Sequence, residues 1–199
     1  QLLHVRVAPG GLQEEPDEGK SEDASEDLGA LTAVLQLFSS EPLSAGDATY
    51  FGFAEPLSGT LLKIKVEADT EGVGIDPTNP PLVWETLTPG GWTPSEVVDD
   101  STGGLNRDGT ITLGVAGDHL PMTMSGDRSH WLRVRMVSPS PDQPVYETSP
   151  RVRRMEFSAI GGSVAAEHAE QKGEEFLGGS DGSSGQKFQL RSSPVIGRL

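Results

Sequence analysis

Alternation of apolar and polar residues dominates this chain. Leu62, Ile64, Val66 and Ala68 face one way while Lys63, Lys65 and Glu67 face the other, the period-two signature of a strand with one face in a core and one in water. Leu3, Val5 and Val7 alternate in the same way with His4 and Arg6 until Pro9-Gly10-Gly11 ends the run. Trp131 to Val137 repeats it, with Leu132, Val134 and Met136 on one side and Arg133 and Arg135 on the other. Thr49 to Phe53, Leu82 to Leu87 and Thr110 to Leu113 read as further strands. Between Leu82 and Arg135 such runs recur roughly every 10 to 20 residues between Gly and Pro, which predicts an all-β fold, an antiparallel β-sandwich. Asn106-Arg107-Asp108-Gly109 supplies a turn, its Asp-Gly pair tolerating the positive backbone angle that a tight reversal needs.

One segment breaks the period. Leu31, Val34, Leu35 and Phe38 fall at helical spacing and predict one short amphipathic helix that Pro42 ends. Residues 1–148 are expected to form the sandwich. Ser138 to Pro144, rich in Pro, reads as a stiff extended spacer leading to a boundary near Ser149. Residues 149–199 would then begin a second, partial β module at Val152 to Phe157, Gly162 to Ala166 and Phe188 to Leu190. The chain opens on Gln1 inside a strand-like run, and it is read as a piece of a longer protein.

Composition sharpens this picture. The 25 Gly and 15 Pro among 199 residues favour many short strands joined by turns, and the 34% apolar content supports a modest core. Net charge is −15, a balance that repels nucleic acid and anionic membrane surfaces. Nearly half of it is local: Gln13 to Asp27 carries eight acidic residues and one base, Lys20, for a net of −7. That segment lacks aromatic and β-branched residues, so it buries too little surface to offset the entropy of ordering and is expected to be a disordered acidic insertion at 13–27. The absence of Cys excludes disulfides and thiolate zinc sites and suits a reducing compartment. No apolar run approaches the roughly 18 residues that would cross a bilayer, so no membrane insertion is expected.

Candidate chemistry is sparse. Asp99-Asp100 with Asp108 could serve acid/base work or offer oxygens to calcium, but the loop lacks the alternating donors of an EF-hand, and capping or turn formation is the simpler role. His4, His119, His130 and His168 are scattered without metal-ligand spacing, and structural roles are expected for all four. Gly179-Ser180-Asp181-Gly182 imitates a nucleophile elbow without its strand-to-helix setting. Gly72-Val73-Gly74 and Gly103-Gly104 lack the Lys-Ser/Thr of a phosphate cradle and read as ordinary loops. No enzyme activity and no cofactor are expected. Trp84 and Trp131 sit in strands and are expected in the core. Trp92, between Gly-Gly and Thr-Pro, is expected nearer the surface, where it could meet a partner or stack on a sugar. Arg151, Arg153 and Arg154, with Arg133 and Arg135, would form a cationic patch for a partner if they cluster, and are otherwise separate exposed side chains.

The order of short strings carries a resemblance. Phe51-Gly52-Phe53, Pro56-Leu57-Ser58-Gly59, Pro81-Leu82-Val83-Trp84-Glu85 and Gly91-Trp92-Thr93-Pro94 are followed by Asp99 to Leu105 and Trp131 to Arg135. Glu174 to Gly182, Gly185 to Leu190 and Pro194-Val195 complete the set. Together, from Thr49 to Val195, they resemble the baseplate assembly proteins of contractile, phage-tail-like injection systems, related to the J-type wedge proteins of phage tails. The resemblance implies a structural wedge component that pairs with a second wedge subunit and is arranged in sixfold fashion around a hub and spike beneath a sheath. It also implies assembly in the cytoplasm, in a particle that is later released or docked at a membrane. It implies no catalytic residues. The first 45 residues depart from it. A carbohydrate-binding sandwich of a secreted protein is the alternative, with Trp92 as its stacking residue.

Overall fold

The computed structural model describes residues 2–8, 22–23, 34–69, 74–115, 117–162 and 176–190. Among these the architecture is all-β, two antiparallel sheets packed face to face. The first sheet holds β1 (Leu2–Ala8), β2 (Glu22–Asp23), β4 (Ala48–Phe53), β6 (Leu82–Thr88), β7 (Gly91–Pro94), β10 (Pro121–Met124) and β11 (Asp127–Met136). Its order is β2-β1-β4-β11-β6-β7, with β10 also paired to β11. The second holds β3 (Leu35–Gln36), β5 (Thr60–Ala68), β8 (Glu96–Asp100), β9 (Gly109–Gly114) and β12 (Arg151–Gly162), in the order β3-β12-β5-β9-β8.

The alternating residues meet where the pattern places them. Val5 and Val7 of β1, Phe51 and Phe53 of β4, and Leu132, Val134 and Met136 of β11 face Leu62, Ile64 and Val66 of β5 and Ile111 and Leu113 of β9 in one buried core. Period two fixes this, because a slip of one residue in any strand would turn its whole apolar set to the other side. β10 and β11 are joined by Ser125 and Gly126, both at positive φ (49° and 88°), the geometry of a tight hairpin turn.

Three expectations are corrected. The helix expected from Leu31 to Phe38 is absent wherever that stretch is described: Leu35 pairs with Val152 as strand β3, while Leu31 lies outside the described residues. The Leu37 amide donates to Pro150 O at 3.0 Å and the Phe38 amide to Ser149 Oγ at 2.8 Å, so these groups are satisfied across the sheet and not along a helix. Leu35, Leu37 and Phe38 are all buried, which rules out a one-sided helical stripe. Most of the acidic segment 13–27 lies outside the described residues, but Glu22–Asp23 is not loop: it pairs with Val7 and Arg6 as an edge strand.

The third correction is the boundary near Ser149. β12 belongs to the sandwich, pairing with β5 from Val152 opposite Ala68 to Gly162 opposite Thr60 and adding Val152 and Met155 to the core. The chain divides instead into Gln1–Ser163 and Val164–Leu199. In the second unit, residues 176–190 carry no strand, including the run expected at Phe188 to Leu190. A turn there is held by Asp181 Oδ1, which accepts from the amide and hydroxyl of Ser183 at 2.9 and 2.7 Å.

Candidate functional site

Two places on the sandwich collect polar or unpartnered groups. The first is the face of the seven-stranded sheet that points away from the core. Cross-strand register lines up Arg6, Tyr50, Arg133 and Glu85 on β1, β4, β11 and β6. All four are buried, so this sheet is covered on both faces and Arg133 does not stand in water as the alternation suggested. Arg133 Nε donates to Glu85 Oε2 at 2.7 Å, and Arg135 holds both oxygens of the same carboxylate, at 2.9 and 2.8 Å. Burial pushes the Glu85 carboxyl up, but the hydrogen bonds and charges of Arg135 and Arg133 outweigh it and hold the group below the usual carboxylate range. Arg133 Nη1 is buried with no hydrogen-bond partner.

Trp92 is half-buried beside this row. The Arg133 guanidinium lies 4.1 Å from its ring centroid, and Tyr50 meets it edge-on with centroids 5.7 Å apart. A sugar platform needs a bare aromatic face, and here one face of the ring is taken by Arg133. Trp131 is fully buried and lies across Gly52, its cross-strand neighbour; a Cβ on Gly52 would stand 2.9 Å from the indole. Trp84 packs in the main core, stacked on Phe51. The core positions expected for Trp84 and Trp131 are therefore observed.

The second place is the free edge of the five-stranded sheet. β8 (Glu96–Asp100) pairs with β9 on one side and has no strand on the other among the described residues. Val97 and Val98 are 48% and 55% exposed, although adjacent positions of a regular strand point to opposite faces. A register shift between Val97 and Asp99 explains this: Val98 is the extra residue of a bulge. Alongside β8 runs an open cleft of about 560 Å³, with Leu82, Trp84, Leu105, Pro77 and Pro80 among its lining.

The cleft ends on a turn that the sequence did not reveal. Gly103, Gly104 and Leu105 all take positive φ (62°, 73° and 63°), a short left-handed stretch that costs a Leu roughly 1–2 kcal/mol. Asp100 holds it, accepting from the Thr102 amide and hydroxyl at 2.7 and 2.5 Å and from the Gly104 amide at 3.1 Å. Thr102 Oγ1 accepts from the Leu105 amide, and the buried Tyr146 hydroxyl donates to Gly104 O at 2.7 Å. Burial, with the nearby Asp100 carboxylate adding to it, pushes the Tyr146 phenol well up, so it stays a donor.

The remaining candidates are dispersed. Asp108 accepts from the Ala68 amide at 2.7 Å, so Asp100 and Asp108 serve as caps. Among the described residues no three His, Asp or Glu side chains gather as metal ligands. Arg133 and Arg135 lie on the first sheet, whereas Arg151, Arg153 and Arg154 lie on β12 of the second, so the five do not cluster. Arg151 and Arg153 each stand 3.8 Å from Asp69, and Arg154 pairs with Glu156 at 2.6 Å. His119 is buried and His168 lies outside the described residues. Sequence reasoning missed the β8 edge, whose signal was two adjacent valines between acids, a run that no one-faced strand can bury. It also missed Glu85, whose pairing with β11 Arg residues depends on a register no local pattern encodes. No protein-family model matches the chain, and no curated protein matches it.

Proposed function

We propose that this chain is a structural module of the baseplate wedge of a contractile, phage-tail-like injection system, and that it works by protein contacts. Its partners on this reading are a second wedge subunit, the hub and spike, and the sheath, in a sixfold ring. The observation that carries the proposal is where the resembling strings fall. Phe51-Gly52-Phe53 and Trp131 to Arg135 build the centre of the first sheet, and Asp99 to Leu105 builds the left-handed turn. They are scaffold residues, as a resemblance between mechanical modules requires. The carboxylates and arginines that chemistry would need hold neighbouring backbone or one another.

Affinity isolation of the tagged full-length protein from its native cells tests this. Recovery of a ring of sheath, tube and spike proteins is the expected result. Isolation as a lone protein from cells that assemble such particles would refute it. The carbohydrate-binding alternative is weakened at Trp92, one of whose two ring faces is taken by Arg133.

A further inference from the structure

We propose that the free edge of β8 is a docking site for an extended segment of a partner protein, which adds antiparallel to the second sheet and carries Lys or Arg beside apolar side chains. This rests on the contact-module reading above and names its surface. An edge strand offers a row of unpaired amides and carbonyls, and strand addition takes its affinity from those groups and its specificity from pockets for alternate side chains. β8 has both elements. Its free side carries no strand among the described residues, and the cleft beside it has Leu82, Pro77 and Pro80 to receive an apolar side chain. Val97 and Val98 present apolar surface at the rim, where a soluble edge is ordinarily covered or charged.

Charge selects the occupant. The strand reads Glu96-Val97-Val98-Asp99-Asp100. Glu96 and Asp99 are exposed, and the nearby Arg107 turns its Nε to Ser101 O at 3.1 Å. A second copy pairing antiparallel about Val98 would set Glu96 against Asp100, and like charges directly opposite are destabilising. A segment with Lys or Arg at the flanking positions faces the same carboxylates favourably, while its β-branched residues meet Val97 and Val98. The acidic flanks and the bulge thus discourage self-pairing and leave the edge open to a cationic strand.

The test uses the whole purified chain, isotopically labelled, titrated with a synthetic capped peptide, Lys-Val-Thr-Val-Lys-Val-Arg, and with its counterpart in which Glu replaces each Lys and Arg. The expected result is saturable binding of the basic peptide alone, weakened by salt, with amide shifts and slowed exchange centred on Val97 to Asp100. Asp99→Lys, an exposed change that leaves the fold intact, should weaken binding several-fold, and Val98→Pro should abolish strand addition. Failure of the basic peptide to bind at millimolar concentration, equal binding of both peptides, shifts centred elsewhere, or a dimer joined through β8 would overturn the proposal. A chain that binds the peptide but never joins tail particles would fault the baseplate reading and leave the edge standing. Ring assembly unaffected by Asp99→Lys, with no peptide binding, would fault the edge alone.

Discussion

His119 ties three backbone segments together with one uncharged ring. Its Nε2 donates to Trp131 O at 2.9 Å, its Nδ1 accepts from the Leu57 amide at 3.1 Å, and its own amide donates to Ser58 Oγ. A carbonyl only accepts and an amide only donates, so the neutral tautomer is dictated by the partners. Burial lowers its pKa below the ordinary 6.5; the bond to Trp131 opposes this, and nearby His130 reinforces it. The unfolded chain therefore takes up the proton first as pH falls, so this contribution to stability is complete above about 6.5 and is lost below it. Urea denaturation at about pH 7.5 and about pH 5.5 should show His119→Gln less stable than the native chain at the higher pH, with a smaller loss between the two. Equal losses would contradict the assignment. Two glycines separate backbone strain from crowding. Gly91 has φ +95° with nothing near a built Cβ, whereas Gly104 has φ +73° with Pro80 only 2.6 Å away. Gly91→Ala should cost about 1–2 kcal/mol and Gly104→Ala about 1–3 kcal/mol more, measured by the same denaturation.

Between strands, the Glu85 carboxylate holds β6 to β11 through two guanidiniums. Side-chain exposure is 5% for both Glu85 and Arg133, so removing one partner strands a buried charge. Glu85→Gln should destabilise by about 3–5 kcal/mol, and Arg133→Met added to it should recover part of that loss. A double-mutant cycle with no coupling would mean that the pair contributes nothing specific. β5 and β11 were legible because alternation there coincides with a face in the core, whereas the β10–β11 turn at Ser125-Gly126 emerged only from the fold. β3 was not legible: Leu35 and Phe38 share helical spacing by coincidence, and the groups that hold this stretch extended come from Ser149 and Pro150, more than a hundred residues on.

At the scale of the molecule, β12 decides where the sandwich ends. It lies between β3 and β5 in the second sheet, and its Val152 and Met155 complete the core. A chain cut to residues 1–163 should still unfold in one cooperative transition, while one cut to 1–148 should show none by calorimetry. The Pro-rich stretch before β12 looked like a linker because a spacer within a domain and one between domains share composition. Here Tyr146, just beyond that stretch, is buried in the core and its hydroxyl holds Gly104 O.

By itself the sequence determined the fold class, the alternating strands and the absence of disulfide chemistry, since these depend on residue period and composition within short windows. Only the tertiary structure decided which strands became neighbours, and so which charges met. That step joined Glu85 to Arg133 and Arg135, separated Arg151, Arg153 and Arg154 from them, and left β8 at an edge. Strand order and register arise from long-range pairing, which local patterning constrains to a face but not to a partner.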